Sequence, residues 1–269
     1  MPQSNSTSNL HSKLQLSGIS KVYPKNAGIQ QLSLTIPKGQ WTSILGPSGC
    51  GKSTLLRLIA GIETSTTGSV LGIENQRLGF VFQDAALLPW LTVFENVALP
   101  LRILTRKKNS KMSEDQIQSA VKLQLERMGL LGFQKSYPHE LSGGMKMRTS
   151  LARALVNQPE ILLLDEPFAA LDEPIRIELG ILLQEIWNQM KPTILLVTHS
   201  ITEAIWLSER ILVMTGRPGK IIEDRMMPTG HDRSWEARGS PEFQKELSRY
   251  FHLLQADSPP ADAVKGVQK

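Results

Sequence analysis

The sequence predicts an α/β domain organised around a phosphate-binding loop, on three observations. Residues 46–54 read Gly-Pro-Ser-Gly-Cys-Gly-Lys-Ser-Thr, a complete G-x-x-x-x-G-K-[ST] pattern. The loop lies between a short β-favouring run, Trp41 to Leu45, and a helix-forming run, Lys52 to Ala60, that stops at Gly61. Farther on, Ile161 to Leu164 and Thr193 to Thr198 are continuous apolar runs, the pattern of strands buried on both faces of a parallel sheet, with a helical stretch over 175–190 between them.

Taken in order, residues 1–12 read as a disordered lead. Leu14 to Ile19 and Ile29 to Ile36 read as strands, punctuated by Pro24, Gly28, Pro37 and Gly39. In the phosphate loop, Gly46, Gly49 and Gly51 let the backbone curl so that N–H groups point inward at phosphate oxygens, with Pro47, Ser48 and Cys50 completing the turn. The partial positive charge of the helix N-terminus, beginning at Lys52, Ser53 and Thr54, adds at the same point. Lys52 can reach the β- and γ-phosphates of a nucleoside triphosphate, and the Ser53 hydroxyl can ligate Mg²⁺. Ser113 and Gln116 form a capping box that opens a helix. Ile117, Val121, Leu125 and Met128 mark one apolar face of it, and Gly129 ends it. Ile211 to Met214 and Lys220 to Ile222 supply late strands around a turn at Gly216 to Gly219, and from about residue 256 the tail is expected to fray. No internal repeat is visible, so residues 13–255 read as a single nucleotide-binding domain.

Composition narrows the class. A chain of 269 residues with 41% hydrophobic content can bury a sizeable core. No run reaches the roughly 18 apolar residues of a membrane span, and the polar N-terminus lacks the layout of a signal peptide. The single cysteine, Cys50, has no internal disulfide partner, which suits a reducing cytosol. Net charge is +5, and its most visible cluster is Arg102, Arg106, Lys107, Lys108 and Lys111. That cluster reads as a solvated loop, the alternative being a contact with anionic lipid headgroups. No aromatic residues interleave with it to make a nucleic-acid stacking platform.

Two further segments carry chemistry. Ile161-Leu-Leu-Leu-Asp-Glu-Pro167 delivers two carboxylates at the C-terminal end of a strand, where ligands of open α/β sheets bind. Asp165 is placed to hold Mg²⁺ through water. Glu166 is placed to polarise an attacking water as general base, a role worth ~10²–10⁴-fold in rate. Leu141-Ser-Gly-Gly-Met145 is a second anion-binding turn at a helix start. One loop already cradles one set of phosphates, so the second turn makes sense facing a nucleotide held by another subunit.

At this point the sequence resembles the ATP-binding cassette (ABC) family over about residues 13–255. The resemblance implies a mixed β/α core, an antiparallel β subdomain and a helical subdomain over about 84–158. It implies that Tyr23 stacks on adenine, and that Gln83 contacts Mg²⁺ and the attacking water. Ser142, Gly143 and Gly144 correspond to the signature turn that caps the γ-phosphate of the partner's ATP. Ala170-Leu171-Asp172 corresponds to the D-loop, and His199 to the switch histidine that touches the γ-phosphate. Met145 and Met147 depart from a common Gln, at positions that supply no essential phosphate ligand.

The segments Gln83 to Val97 and Leu207 to Lys220 resemble, within that family, cassettes that energise uptake of nitrate, taurine, alkanesulfonates, bicarbonate and similar small anions. The implied partners are a second copy of the chain or a homologous ATPase subunit, an integral membrane permease and, indirectly, an extracytoplasmic solute-binding protein, with no nucleic acid. The implied location is the cytoplasmic face of the inner membrane. Leu87, Leu88, Trp90 and Phe94 are candidates for the permease-facing patch, the alternative being core of the helical subdomain. An exporter's ATPase subunit shares every catalytic motif, and a soluble non-transport cassette is the other alternative.

Overall fold

The computed structural model describes residues 13–23, 28–106, 112–228 and 233–256. The expected lead, the tail beyond Ala256 and Lys107, Lys108 and Lys111 of the basic cluster lie outside the described residues.

Two sheets organise the chain. Strands β1 (Lys13–Val22), β2 (Gly28–Pro37) and β4 (Thr67–Leu71) form a three-stranded antiparallel sheet in the order β2-β1-β4. The second sheet has six strands in the order β5-β6-β7-β3-β8-β9. Its members are β3 (Trp41–Leu45), β5 (Leu78–Val81), β6 (Ile161–Asp165), β7 (Thr193–Thr198), β8 (Arg210–Thr215) and β9 (Lys220–Met226). All of its pairs are parallel except β8–β9, which a hairpin through Gly216 to Gly219 makes antiparallel.

The continuous apolar strands are explained by a core on each face. On β6, Leu162 and Leu164 join one hydrophobic cluster while Ile161 and Leu163 join the other. On β7, Ile194 and Leu196 go one way and Leu195 and Val197 the other. Alternate side chains point to opposite faces, so a strand covered on both sides needs apolar residues at every position. The first face is covered by α2 (Val93–Arg106), α3 (Glu114–Arg127), α4 (Gly143–Leu155), α5 (Glu173–Met190), α6 (Ile201–Leu207) and α7 (Pro241–Ala256). The second face is covered by α1 (Lys52–Ile59) and the antiparallel sheet.

Local expectations meet the structure closely at α3. Ser113 accepts from Gln116 N–H at 3.2 Å, the Gln116 side chain accepts from Ser113 N–H at 2.9 Å, and Gly129 leaves the helix at φ 66°. Ile117, Val121, Leu125 and Met128 are all buried, as one core-facing stripe.

The two described members of the basic cluster lie on a helix rather than in the solvated loop expected of them. Arg102 and Arg106 lie on α2, and Arg102 pairs with Glu114 at 2.7 Å. A capping box opens this helix, which carries Pro100 in its interior: Thr92 N–H donates to Glu95 at 2.8 Å, and Glu95 N–H donates to the Thr92 hydroxyl at 3.2 Å. Leu87 and Phe94 are partly buried against the main core, Leu88 is half-buried, and Trp90 is 68% exposed.

Gly180 on α5 tests how tightly the first face is packed. A Cβ there would come within 2.3 Å of the buried Trp206 indole. Gly180→Ala is expected to destabilise the protein by about 1–3 kcal/mol through overpacking, read as a lowered midpoint of urea unfolding; an unchanged midpoint would show that α5 and α6 separate freely.

Candidate active site

Parallel register decides which side chains meet. Leu45 at the end of β3 pairs with Thr198 of β7, and Asp165 at the end of β6 pairs with Val197 of β7. The residues that follow these strand ends, Gly46, Glu166 and His199, therefore leave the sheet along one edge. This is the carboxyl edge, where open α/β sheets hold their ligands.

The phosphate loop curls as its glycines allow. Gly49 (φ 80°) and Gly51 (φ 101°) occupy backbone space that side chains disfavour. Gly46 is needed for a different reason: a Cβ there would come within 2.0 Å of the Met214 carbonyl on β8. Lys52 is buried, and its ammonium donates to the Gly46 and Pro47 carbonyls at 2.9 Å each. The same ammonium lies 3.7 Å from Glu166. The loop thus gathers positive charge at the head of α1, from Lys52 and from the helix end itself.

Asp165 belongs to the face of β6 that α1 covers, the face of Ile161 and Leu163, and accordingly it meets Ser53. The Ser53 hydroxyl donates to Asp165 Oδ1 at 2.7 Å. Asp165 is 3% exposed, and burial pushes its carboxyl above the usual range while the Ser53 hydrogen bond pulls it back. A hydroxyl and a carboxylate brought this close, at the mouth of an anion-binding loop, are the oxygen donors that suit Mg²⁺ held jointly with phosphates.

Glu166 sits in left-handed backbone (φ 46°), with its N–H donating to the Val197 carbonyl at 3.0 Å. A non-glycine residue held there costs about 1–3 kcal/mol, and such outliers cluster at functional sites. Its side chain is fixed from two sides, by Lys52 and by His199 Nδ1 at 2.9 Å from Oε2. A carboxylate oxygen accepts, so the Nδ1 proton lies toward Glu166 and Nε2 is left as the free ring nitrogen.

A cleft of about 680 Å³ opens beside these groups, lined by Tyr23, Gly28, Ser48, Gly49, Gly51, Lys52, Ser53, Thr54, Arg57, Glu63, Gln83 and Glu166, with Asp165 and His199 not among its lining residues. Tyr23 hydrogen-bonds through its hydroxyl to Glu63, which pairs with Arg57 at 3.6 Å. Cys50 is buried beneath the loop, where burial pushes its thiol pKa up. Arg57 and Glu63 escaped the reading of the sequence. Arg57 stands four residues after Ser53 on α1, on the same helical face, and that spacing was its available signal.

The signature turn is built but is not among the residues that line this cleft. Ser142 caps α4, accepting from Met145 N–H at 3.3 Å, with Gly143 exposed and Gly144 packed on Ile175. Asp172 stands at the N-cap of α5, exposed, with no capping hydrogen bond from its side chain.

A lysine-bearing glycine loop between strand and helix, with a carboxylate pair delivered by a neighbouring parallel strand, defines the class of phosphate-loop nucleoside triphosphate-binding domains. The model of the family described as ABC transporter matches residues 29–169. An aliphatic sulfonates import ATP-binding protein of Bacillus cereus is 39% identical over 251 residues, covering 88% of this chain and 95% of that protein. An ABC transporter ATP-binding protein of Methanocaldococcus jannaschii is 41% identical over 254 residues, covering 90% and 91%. Among solved structures, a dimeric ATP-binding cassette in a post-hydrolysis state bound to ADP and Pi matches with TM-score 0.71 and 31% identity, over 80% of this chain and 99% of that one. A Clostridium perfringens protein that is part of the ABC transporter complex cbiONQ matches with TM-score 0.69 and 29% identity, over 90% and 98%. This chain belongs to the ABC transporter family of ATP-binding proteins. It binds ATP and is an ATPase.

The Ser53–Asp165 pair generates a prediction about the metal. Ser53→Ala should weaken ATP binding about tenfold in the presence of Mg²⁺ and leave binding in EDTA unaltered, as measured by nucleotide titration. An equal loss under both conditions would assign the hydroxyl a purely structural role.

Proposed function

We propose that this chain is the ATP-hydrolysing subunit of an importer of a small anion, of the sulfonate, taurine, nitrate or bicarbonate type. The observation that carries the hydrolytic reading is the meeting of Lys52, Ser53, Asp165, Glu166 and His199 at one sheet edge. Support for import, and for sulfonate in particular, comes from relatives that are aliphatic sulfonates import proteins at about 40% identity. Among the described residues no helix is long and apolar enough to cross a membrane. A separate permease therefore supplies the pore in this reading, with the chain peripheral on the cytoplasmic face of the membrane and an extracytoplasmic binding protein selecting the solute. The exposed Trp90 and the half-buried Leu88 offer the permease an apolar contact.

In this mechanism the phosphate loop binds the ATP phosphates through its N–H groups, and Lys52 exchanges its carbonyl contacts for β- and γ-phosphate oxygens. Mg²⁺, held from Ser53, Gln83 and Asp165, would supply charge neutralisation at the phosphates. Glu166 takes a proton from the attacking water. His199, held by Glu166 through Nδ1, presents its other ring nitrogen toward the γ-phosphate in this reading. Tyr23 receives the adenine at the outer end of the cleft.

In this reading the turn at Ser142, Gly143 and Gly144, which does not line this cleft, serves the ATP of a second subunit, and with Asp172 completes the partner's site. Two copies, or this chain and a homologous subunit, sandwich two ATPs across a two-fold axis. ATP favours the closed pair because its γ-phosphate touches both subunits. Hydrolysis then reopens the pair and biases the permease between its two states by differential affinity.

Glu166→Gln is expected to retain ATP binding, hydrolyse at least about a hundredfold more slowly and accumulate as an ATP-bound dimer on size-exclusion chromatography. Hydrolysis at the wild-type rate would remove Glu166 as the base. Gentle solubilisation of native membranes with this chain as bait is expected to bring down an integral permease of the sulfonate or nitrate uptake type. Recovery of ribosomal or soluble assembly proteins with no membrane protein would overturn the importer reading.

A further inference from the structure

Behind the catalytic edge, a run of charged and polar contacts joins the loop before α5 to the loop that carries His199. Arg176, in the first turn of α5, donates from Nη2 to the Leu171 carbonyl at 3.0 Å and from Nη1 to Glu173 at 2.9 Å. Its Nε is buried, makes no hydrogen bond of its own, and lies 3.6 Å from Oε1 of Glu203 on α6. Glu203 is 6% exposed, and its Oε2 accepts from the Thr198 hydroxyl at 2.5 Å. That hydroxyl accepts in turn from Ser200 N–H at 3.0 Å, and the Ser200 hydroxyl accepts from Glu203 N–H at 3.3 Å. Thr198 and Ser200 are the two neighbours of His199, so Glu203 grips the histidine loop on both sides.

The pair is half-buried, with Glu203 inside and the Arg176 side chain 30% exposed, so desolvation of the carboxylate and solvent screening of the guanidinium both cut its worth for stability. Burial, with a smaller push from Glu166, moves the Glu203 carboxyl upward against the pull of Thr198, Arg176 and His199. What a guanidinium adds over an apolar residue is direction. Its fork hydrogen-bonds the Leu171 carbonyl and Glu173 while its Nε stays within ion-pair distance of Glu203, a spread of contacts that a single ammonium cannot match. The two objects held here are the 169–172 loop and the His199 loop.

We propose that Arg176 and Glu203 are positioning residues for hydrolysis, tying the 169–172 loop to the histidine loop and thereby setting His199 against Glu166. The proposal rests on the reading of Glu166 and His199 as the hydrolytic pair. In that reading the 169–172 loop reaches toward the partner's ATP through Asp172. Arg176 and Glu203 then let the state of one site adjust the histidine of the other.

The test uses the full chain with MgATP and compares Arg176→Ala, Arg176→Lys and Glu203→Gln, with His199→Ala and Glu166→Gln as controls. Arg176→Lys keeps the charge but lacks the fork, and Glu203→Gln keeps the shape and a hydrogen bond but not the charge. Each is expected to lower kcat about ten- to a hundredfold with KM for ATP within about twofold and an unfolding temperature near that of the wild type. The Arg176→Lys and Glu203→Gln changes combined should cost no more than the worse single change, because both break one connection. Wild-type kcat in these variants, with both controls inactive, would overturn the positioning role alone. So would a rate loss in Arg176→Ala that tracks its unfolding temperature and is fully restored by Lys. Wild-type rates in both controls would overturn the underlying reading instead.

Discussion

Parallel pairing of β3, β6 and β7 in a fixed register is the constraint on which the site depends. Leu45 opposite Thr198 and Asp165 opposite Val197 bring three strand ends to one line. The phosphate loop, the carboxylate pair and the histidine leave the sheet from there. Side chains alternate with a period of two, so a slip of one residue would turn every side chain of a strand to the other face. For β6 that slip would swap Leu162 and Leu164 with Ile161 and Leu163 between the two cores. It would also turn Asp165 away from α1 and Ser53. The two hydrophobic clusters that stabilise the domain therefore also hold the geometry of this edge, and burial of apolar area resists loss of register far more strongly than any single polar contact does.

Close backbone approach sets the second condition. The phosphate loop is wedged against its neighbours: Gly46 lies under the Met214 carbonyl, and a Cβ on Gly219 of the β8–β9 hairpin would come within 1.9 Å of the Cys50 carbonyl. Gly219 also donates to the Gly28 carbonyl at 2.7 Å and accepts from Gln30 N–H at 3.2 Å. The hairpin is thereby tied to the antiparallel sheet as well as to the loop. A cleft that must present N–H groups to phosphate without rearranging benefits from such bracing, because pre-organised donors need no reorganisation when charge arrives. Lys52, hydrogen-bonded to two loop carbonyls and near Glu166, is held in the same way.

Much of this was legible one segment at a time. The phosphate loop, the β6 and β7 runs, the Ser113 capping box and the apolar stripe of α3 all announce themselves through local spacing, and the structure places each where its pattern predicts. The helix α2 was not read, because the basic residues suggested a solvated loop; the reciprocal Thr92 and Glu95 bonds that start it are a capping box visible in the sequence. Strands β4 and β5 are too short and too exposed, or too weakly patterned, to stand out. Leu87, Leu88, Trp90 and Phe94 look alike in sequence, yet only Trp90 stands well clear of the protein surface. That division depends on how α2 packs, which no local pattern contains.

The sequence by itself determined the chemistry available: a glycine-curled loop with a lysine, an acid pair ending an apolar strand, and a second glycine turn at a helix start. These follow from bonding between neighbours, which a short window of residues specifies. The tertiary structure alone decided that Asp165 meets Ser53, that Glu166 is gripped between Lys52 and His199, and that Arg176 reaches both Leu171 and Glu203. It likewise decided that Ser142, Gly143 and Gly144 are not among the residues lining the cleft beside Lys52, Ser53 and Glu166. Such meetings join residues far apart along the chain. They arise from strand order and from which face each helix covers, and those are properties of the packed core as a whole.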